Sequence, residues 1–144
     1  MAVPYRHTQR GTLMLAALLA GAVVLALAAF ANPVAAARVV LALSALGLAV
    51  LAWLFSSLTV EVRAGEVCWY FGPGLWRYRL ALADVDRVAP VRNSWANGFG
   101  IRMRPGFRLY NVSGLDAVEL YLKSGEVRRL GTDDPQGLAA ALKA

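Results

Sequence analysis

The sequence predicts an α+β membrane protein: a two-helix transmembrane hairpin followed by one small β-rich domain that ends in a helix. Two long runs without charge open the chain. An alternating apolar pattern with turns marked by Gly and Pro fills the rest, and charge divides sharply between the two parts. Hydrophobic residues make up 58% of the 144 positions, more than a soluble domain carries, and the excess lies between Leu13 and Phe55. All nine acids, and most of the fifteen Lys and Arg, lie beyond residue 57.

The first run, Leu13 to Ala31, holds no charged residue and would span roughly 28 Å as a helix, close to the hydrocarbon thickness of a bilayer. Asn32-Pro33 stops it. The second run, Val39 to Phe55, would span roughly 25 Å, near the lower limit for crossing. Backbone amides in lipid must bond within their own segment, so both runs are expected to be helices, and the connector between them permits only an antiparallel hairpin. The hairpin thus covers residues 13–56, with spans at about 13–31 and 39–55, after a basic N-terminal segment at 1–12. Gly21, Gly47 and the many alanines would permit close helix contact, but plain lipid-compatible filler joined in a hairpin is the preferred reading. Neither run contains an ionisable residue, which argues against a proton or ion pathway.

Flanking bases set the expected orientation. Arg6 and Arg10 precede the first span, only Arg38 lies in the connector, and Arg63, Arg77 and Arg79 follow the second. The positive-inside rule then places both termini in the cytoplasm. Arg10, Arg38 and Trp53 are the expected anchors at the membrane interface. A rival reading makes the first run a signal peptide cleaved after Ala29-Phe30-Ala31. The domain would face the cytoplasm in either case.

From residue 57 to 144 the period changes to two. Leu58, Val60 and Val62 alternate with Thr59, Glu61 and Arg63, and Val67, Trp69 and Phe71 continue an apolar face after Ala64-Gly65. Gly72-Pro73-Gly74 turns the chain into Trp76 to Leu82. Asp84 to Arg92 reads as an edge strand because Pro90 interrupts it, and Asp84 and Asp86 are expected to share one of its faces. Shorter strands follow at 101–104, 107–112, 117–123 and 126–130, with turns at Pro105-Gly106, Ser113-Gly114 and Ser124-Gly125. The expectation is about seven strands in a meander-like barrel or sandwich. A closing helix begins near Pro135, capped by Asp133 or Asp134, with Leu138 and Leu142 one turn apart.

Val67 to Gly74 (VCWYFGPG), Asn97 to Arg102 (NGFGIR), Leu109 to Gly114 (LYNVSG), Ala117 to Leu120 (AVEL) and Gly131 to Pro135 (GTDDP) make this part resemble the bacterial pleckstrin-homology-like domains of small membrane proteins. A preceding two-helix hairpin is also typical of that group. The resemblance covers about Leu58 to Ala144. It implies a seven-stranded barrel with a C-terminal helix over one open end, and a non-enzymatic binding or assembly role, often with self-association, at the bacterial inner membrane.

Catalytic chemistry finds no foothold in the residues. Cys68 is the single cysteine and His7 the single histidine, so neither a disulfide nor a Cys/His zinc site can be assembled, and no cofactor is expected. Cys68 reads as a packing residue and His7 as part of a solvated basic tail. The informative feature is charge. No acid lies between Asp86 and Asp116, yet Arg87, Arg92, Arg102, Arg104 and Arg108 do, interleaved with Trp95, Phe99 and Phe107. A domain tethered at residue 57 stays near the inner leaflet, whose surface attracts bases at about 1 kcal/mol each. Arg87, Arg92, Trp95, Arg102, Arg104 and Arg108 are therefore the candidate contact surface for anionic lipid or an acidic partner. The plainer alternative is a solvated sheet face. Two functional classes stay open, a scaffold that binds a membrane protein or a second copy of itself and a lipid-sensing module; nucleic acid is not an expected partner.

Overall fold

The computed structural model describes residues 4–143 and opens with a strand, β1 (Tyr5–Arg10), where the sequence suggests only a basic tail. Tyr5, His7 and Gln9 turn inward while Arg6, Thr8 and Arg10 face out. That alternation is too polar to register as a strand from composition. The strand is held by β2 (Ser57–Arg63), to which it pairs antiparallel from Tyr5↔Val62 to Arg10↔Ser57. Part of the segment 1–12 thus belongs to the β-domain; Met1 to Val3 lie outside the described residues.

Between these two neighbouring strands the chain makes α1 (Thr12–Ala31) and α2 (Ala35–Leu54). Each has 20 residues, about 30 Å of helix, and both are long and apolar enough to cross a membrane. Asn32 adopts an extended conformation before Pro33, as residues preceding proline do, and its Oδ1 accepts the Val34 amide at 2.9 Å. The second helix begins four residues before the expected span at 39–55, so Arg38 lies inside it and not in a connector. The Arg38 guanidinium folds back to donate to the Asn32 carbonyl at 2.9 Å. The helices meet through alanine: Ala22 and Ala29 of α1 and Ala45 and Ala52 of α2 are the buried positions, seven apart in each case, or about two turns. A side chain at Gly21 would press on Leu48, whereas one at Gly47 would point into open space.

The first sheet has the order β1-β2-β3-β4, with β3 (Glu66–Phe71) and β4 (Arg77–Ala81) completing it. The second contains β5 (Val85–Arg92), β6 (Gly100–Arg104), β7 (Phe107–Asn111), β8 (Asp116–Leu122) and β9 (Val127–Gly131) in the order β5-β8-β9-β7-β6. The expectation of about seven antiparallel strands in a barrel or sandwich is therefore corrected in strand number, in the closed-barrel alternative and in the pairing. Nine strands are described, they form two sheets and not one closed barrel, and β7 pairs with β9 in parallel. Pro90 does fall on an edge strand, opposite Val118, where its missing N–H costs no ladder bond. Asp84 and Asp86 do not share a strand face. Asp84 ends a single 3-10 turn, and Asp86 falls where the β5–β8 register shifts between Val85 and Arg87.

Aromatic rings join the two sheets. Trp69 of β3 stacks on Tyr78 of β4 at 5.7 Å between centroids, and both meet Tyr110 of β7, at 5.2 and 4.9 Å. Leu58, Val60, Val67, Val118, Leu120 and Leu130 fill the space around them. The last helix, α3 (Pro135–Lys143), lays Leu138 and Leu142 on this core. Its first turn is capped by Asp134, whose Oδ1 accepts the Gly137 amide at 3.0 Å.

The helical hairpin joins the sheet without slack. The Gly11 amide donates to the Ser56 carbonyl at 2.8 Å, so the ladder of β1 and β2 continues to the helix roots. Gly72 has φ +48°, and a Cβ there would sit 2.4 Å from the Leu54 carbonyl oxygen. Only glycine fits this turn against the end of α2.

Candidate binding surface

The outward faces of the two sheets share one construction. On the first sheet, Glu61 has a side chain only 9% exposed, although it points away from the apolar core. Its Oε1 accepts the Tyr70 hydroxyl at 3.1 Å, and its two oxygens take Arg6 and Arg63 at 3.4 and 3.3 Å. Arg77 lies over the Tyr70 ring at 4.3 Å. On the second sheet, Glu119 is again only 9% exposed and accepts Tyr121 and Arg129, while Arg87 lies over the Tyr121 ring at 4.1 Å. In each case a sheltered glutamate fixes a tyrosine, and the tyrosine carries an arginine.

Burial pushes the Glu119 carboxyl up, but the hydrogen bonds from Tyr121 and Arg129 outweigh it and hold the group below the usual glutamate value. The same contact with Glu119 raises the Tyr121 phenol. Arg129 is further fixed by Asn93, at 2.7 Å, and by the Phe107 ring, at 5.0 Å. These acids are thus consumed within the faces. Arg77 and Arg79 on one sheet, and Arg87, Arg102 and Arg104 on the other, have no ion-pair partner among the described residues. On the first sheet a cavity of about 180 Å³ opens between Glu61, Arg63, Glu66, Cys68, Arg77 and Arg79.

The arginine stretch read from sequence is divided by this geometry. Arg102 and Arg104 pair with Leu109 and Phe107 and share a sheet face, which Arg87 joins through Tyr121. Arg108 pairs with Met103, and strand alternation puts it on the face of Tyr110 instead, the side turned to the core. Arg92 ends β5 opposite Asp116, and Trp95 sits in a 3-10 turn, edge-on to Phe99 at 6.1 Å. Arg102 also donates to the Asn97 carbonyl at 3.2 Å, which ties the strand to the Trp95 loop. Of the expected anchors, Arg10 ends β1 beside the helix roots, Trp53 is exposed on the last turn of α2, and Arg38 lies at the opposite end of the hairpin.

The arginines of the first sheet escaped the sequence reading. Arg77-Tyr78-Arg79 and Glu61-Val62-Arg63 each carry charge at period two, which is the available signal, but their meeting needs the β2–β3–β4 register. Arg6 needs β1. His7, expected to be free, bonds Asp133, and Tyr5 donates to Asp134 at 3.1 Å; burial, with that carboxylate second, pushes the Tyr5 phenol far up. Among the described residues no three His, Cys, Asp or Glu side chains are grouped to hold a metal ion.

No protein-family model matches the chain, and no curated protein matches it.

Proposed function

We propose that this chain is a non-enzymatic, membrane-anchored interaction module with a pleckstrin-homology-like domain. On this reading α1 and α2 cross the bacterial inner membrane with both termini in the cytoplasm, and the domain binds an acidic protein partner or a second copy of itself. The carrying observation is that the sheltered acids of both sheet faces are occupied internally while Arg77, Arg79, Arg87, Arg102 and Arg104 project without acid partners. Such faces favour acidic surfaces by charge complementarity. They also disfavour face-to-face self-association, so a second copy would join through strand edges. Of the outer strands, β5 is defended by Pro90 and its register shift, which leaves β1, β4 and β6. Crosslinking of the full chain in native membranes tests this. Discrete higher species that persist when Arg87 and Arg104 are changed to Glu indicate edge assembly, and loss of all species in that variant indicates face binding. A protein that crosslinks to nothing refutes the module.

Anionic lipid is the second reading. It is favoured by exposed tryptophans in the loops beside the helix roots and by exposed arginines on the strands that adjoin them. Flotation of the full chain with anionic or neutral vesicles tests it, since β1 precedes the hairpin and belongs to the domain.

A further inference from the structure

The two sheets place two aromatic loops against the two roots of the helical hairpin. The β3–β4 loop, 72–76, packs at the end of α2: Leu75 and Trp76 line an apolar groove with Leu54, Phe55, Phe71 and Ile101. The β5–β6 loop, 93–99, lies at the start of α1: Gly100, which follows Phe99, sits against Met14 in the first turn of that helix. The roots themselves are adjacent through the bond from Gly11 to Ser56. Trp53, Trp76 and Trp95 are 56%, 68% and 69% exposed at this level, and Leu75 is 60% exposed. The fourth tryptophan, Trp69, is 3% exposed within the core. Three of four indoles are thus exposed in segments that adjoin the helix roots, where a soluble surface would gain nothing from them.

Arg10, Arg92 and Arg102 stand exposed on the strands that adjoin these segments, and Asp116 pairs opposite Arg92. Tryptophan prefers the level of lipid headgroups, and arginine there meets phosphate. From this geometry we infer that Leu75, Trp76 and Trp95 form a second membrane contact, seating the domain on the headgroup layer of the bilayer that holds α1 and α2. The occupant is the lipid surface because the patch is continuous with the exposed apolar exterior of the hairpin. The inference rests on the hairpin lying in a bilayer. It also divides the arginine stretch: Arg92 and Arg102 belong to the lipid-facing rim, whereas Arg87 and Arg104 lie toward the far ends of their strands and stay free for other partners.

The test uses the full chain reconstituted in vesicles of brominated phospholipid. Three variants keep Trp69 as a buried internal standard together with one of Trp53, Trp76 or Trp95, the others being changed to Phe, and a fourth keeps Trp69 alone. Trp76 and Trp95 should lose emission to bromine to an extent comparable with Trp53, and the Trp69-only variant should lose little. Quenching of Trp53 alone overturns the seated domain while leaving the hairpin in the membrane. If Trp53 is not quenched either, the membrane reading falls with it. Replacing anionic with neutral brominated lipid separates the contributions: persistent quenching assigns the seat to the indoles, and its loss assigns it to the arginines.

Discussion

Gly72→Ala probes the joint between the two apolar helices and the sheet with the fewest confounding changes. Gly72 has φ +48°, a conformation that costs an L-residue about 1–2 kcal/mol. An added Cβ would also lie 2.4 Å from the Leu54 carbonyl oxygen and 2.7 Å from that of Trp53. Both are backbone atoms at the end of a helix, so no rotamer change relieves the clash, and overpacking of this kind costs about 1–3 kcal/mol more. Gly65→Ala is the matched control. Gly65 has φ +76° and nothing within 4 Å of its Cβ position, so only the conformational cost applies. For a domain of this size each kcal/mol shifts Tm by about 4–8 °C, so Gly72→Ala should melt roughly 5–20 °C below Gly65→Ala. Near-UV circular dichroism in mild detergent at one scan rate reads this through the Trp69, Tyr78 and Tyr110 cluster. Equal melting of the two variants would refute the tight joint and imply that the domain hangs from α2 on a loose linker.

Two further outcomes follow from the same geometry. Glu119→Gln leaves Arg129 without its anion at a site where the arginine side chain is 18% exposed, and should destabilise the domain by about 1–3 kcal/mol. The Glu119 carboxyl is held below its ordinary value, so its stabilisation is present above the ordinary glutamate range and lost as pH falls through the depressed value. The gap in stability between wild type and Glu119→Gln should therefore close in acid; a gap that stays constant with pH would exclude the ionic contribution. Separately, a protease site inserted at 32–34 should allow the hairpin to be cut without releasing β1, since the strand is held by a continuous ladder to β2. The fragments should co-purify in mild detergent and separate under denaturing conditions. Separation before denaturation would show that β1 is not integral to the sheet.

The helices, the C-terminal cap and most strands were legible because each follows from a local pattern. Leu13 to Ala31 has length and apolarity, Asp134-Pro135 has capping chemistry, and Val67 to Phe71 has alternation. β1 was not legible: Tyr5, His7 and Gln9 make a weak apolar face, and the strand exists because β2 presents a free edge more than forty residues later in the chain. The β7–β9 parallel pair was hidden for a related reason, since turn signals identify neighbours in sequence and say nothing of strands that skip one. The candidate surface was legible only in composition. Acid-free spacing found Arg87, Arg102 and Arg104, but grouped them with Arg108, which strand parity sends to the other face. Arg6, Arg77 and Arg79 needed the register of four strands before Glu61 emerged as their centre.

The hidden strand alters what the hairpin does to the domain. A domain hung from the end of one helix can swivel about a single linker. Here the helical pair interrupts two adjacent strands, so two covalent connections enter one sheet, and strands so paired lie about 4.8 Å apart. The Gly11–Ser56 bond and the glycine packed under Leu54 remove the remaining play. A change in tilt of α1 and α2 must then carry the first sheet with it or break the ladder, and breaking it would expose Gln9, Thr59 and Glu61, all buried now. Rigid rotation is the less costly response. The arginines of the two sheet faces are thereby held at set heights and directions relative to the hairpin, and any partner that recognises them reads the orientation of the helices as well as the identity of the protein.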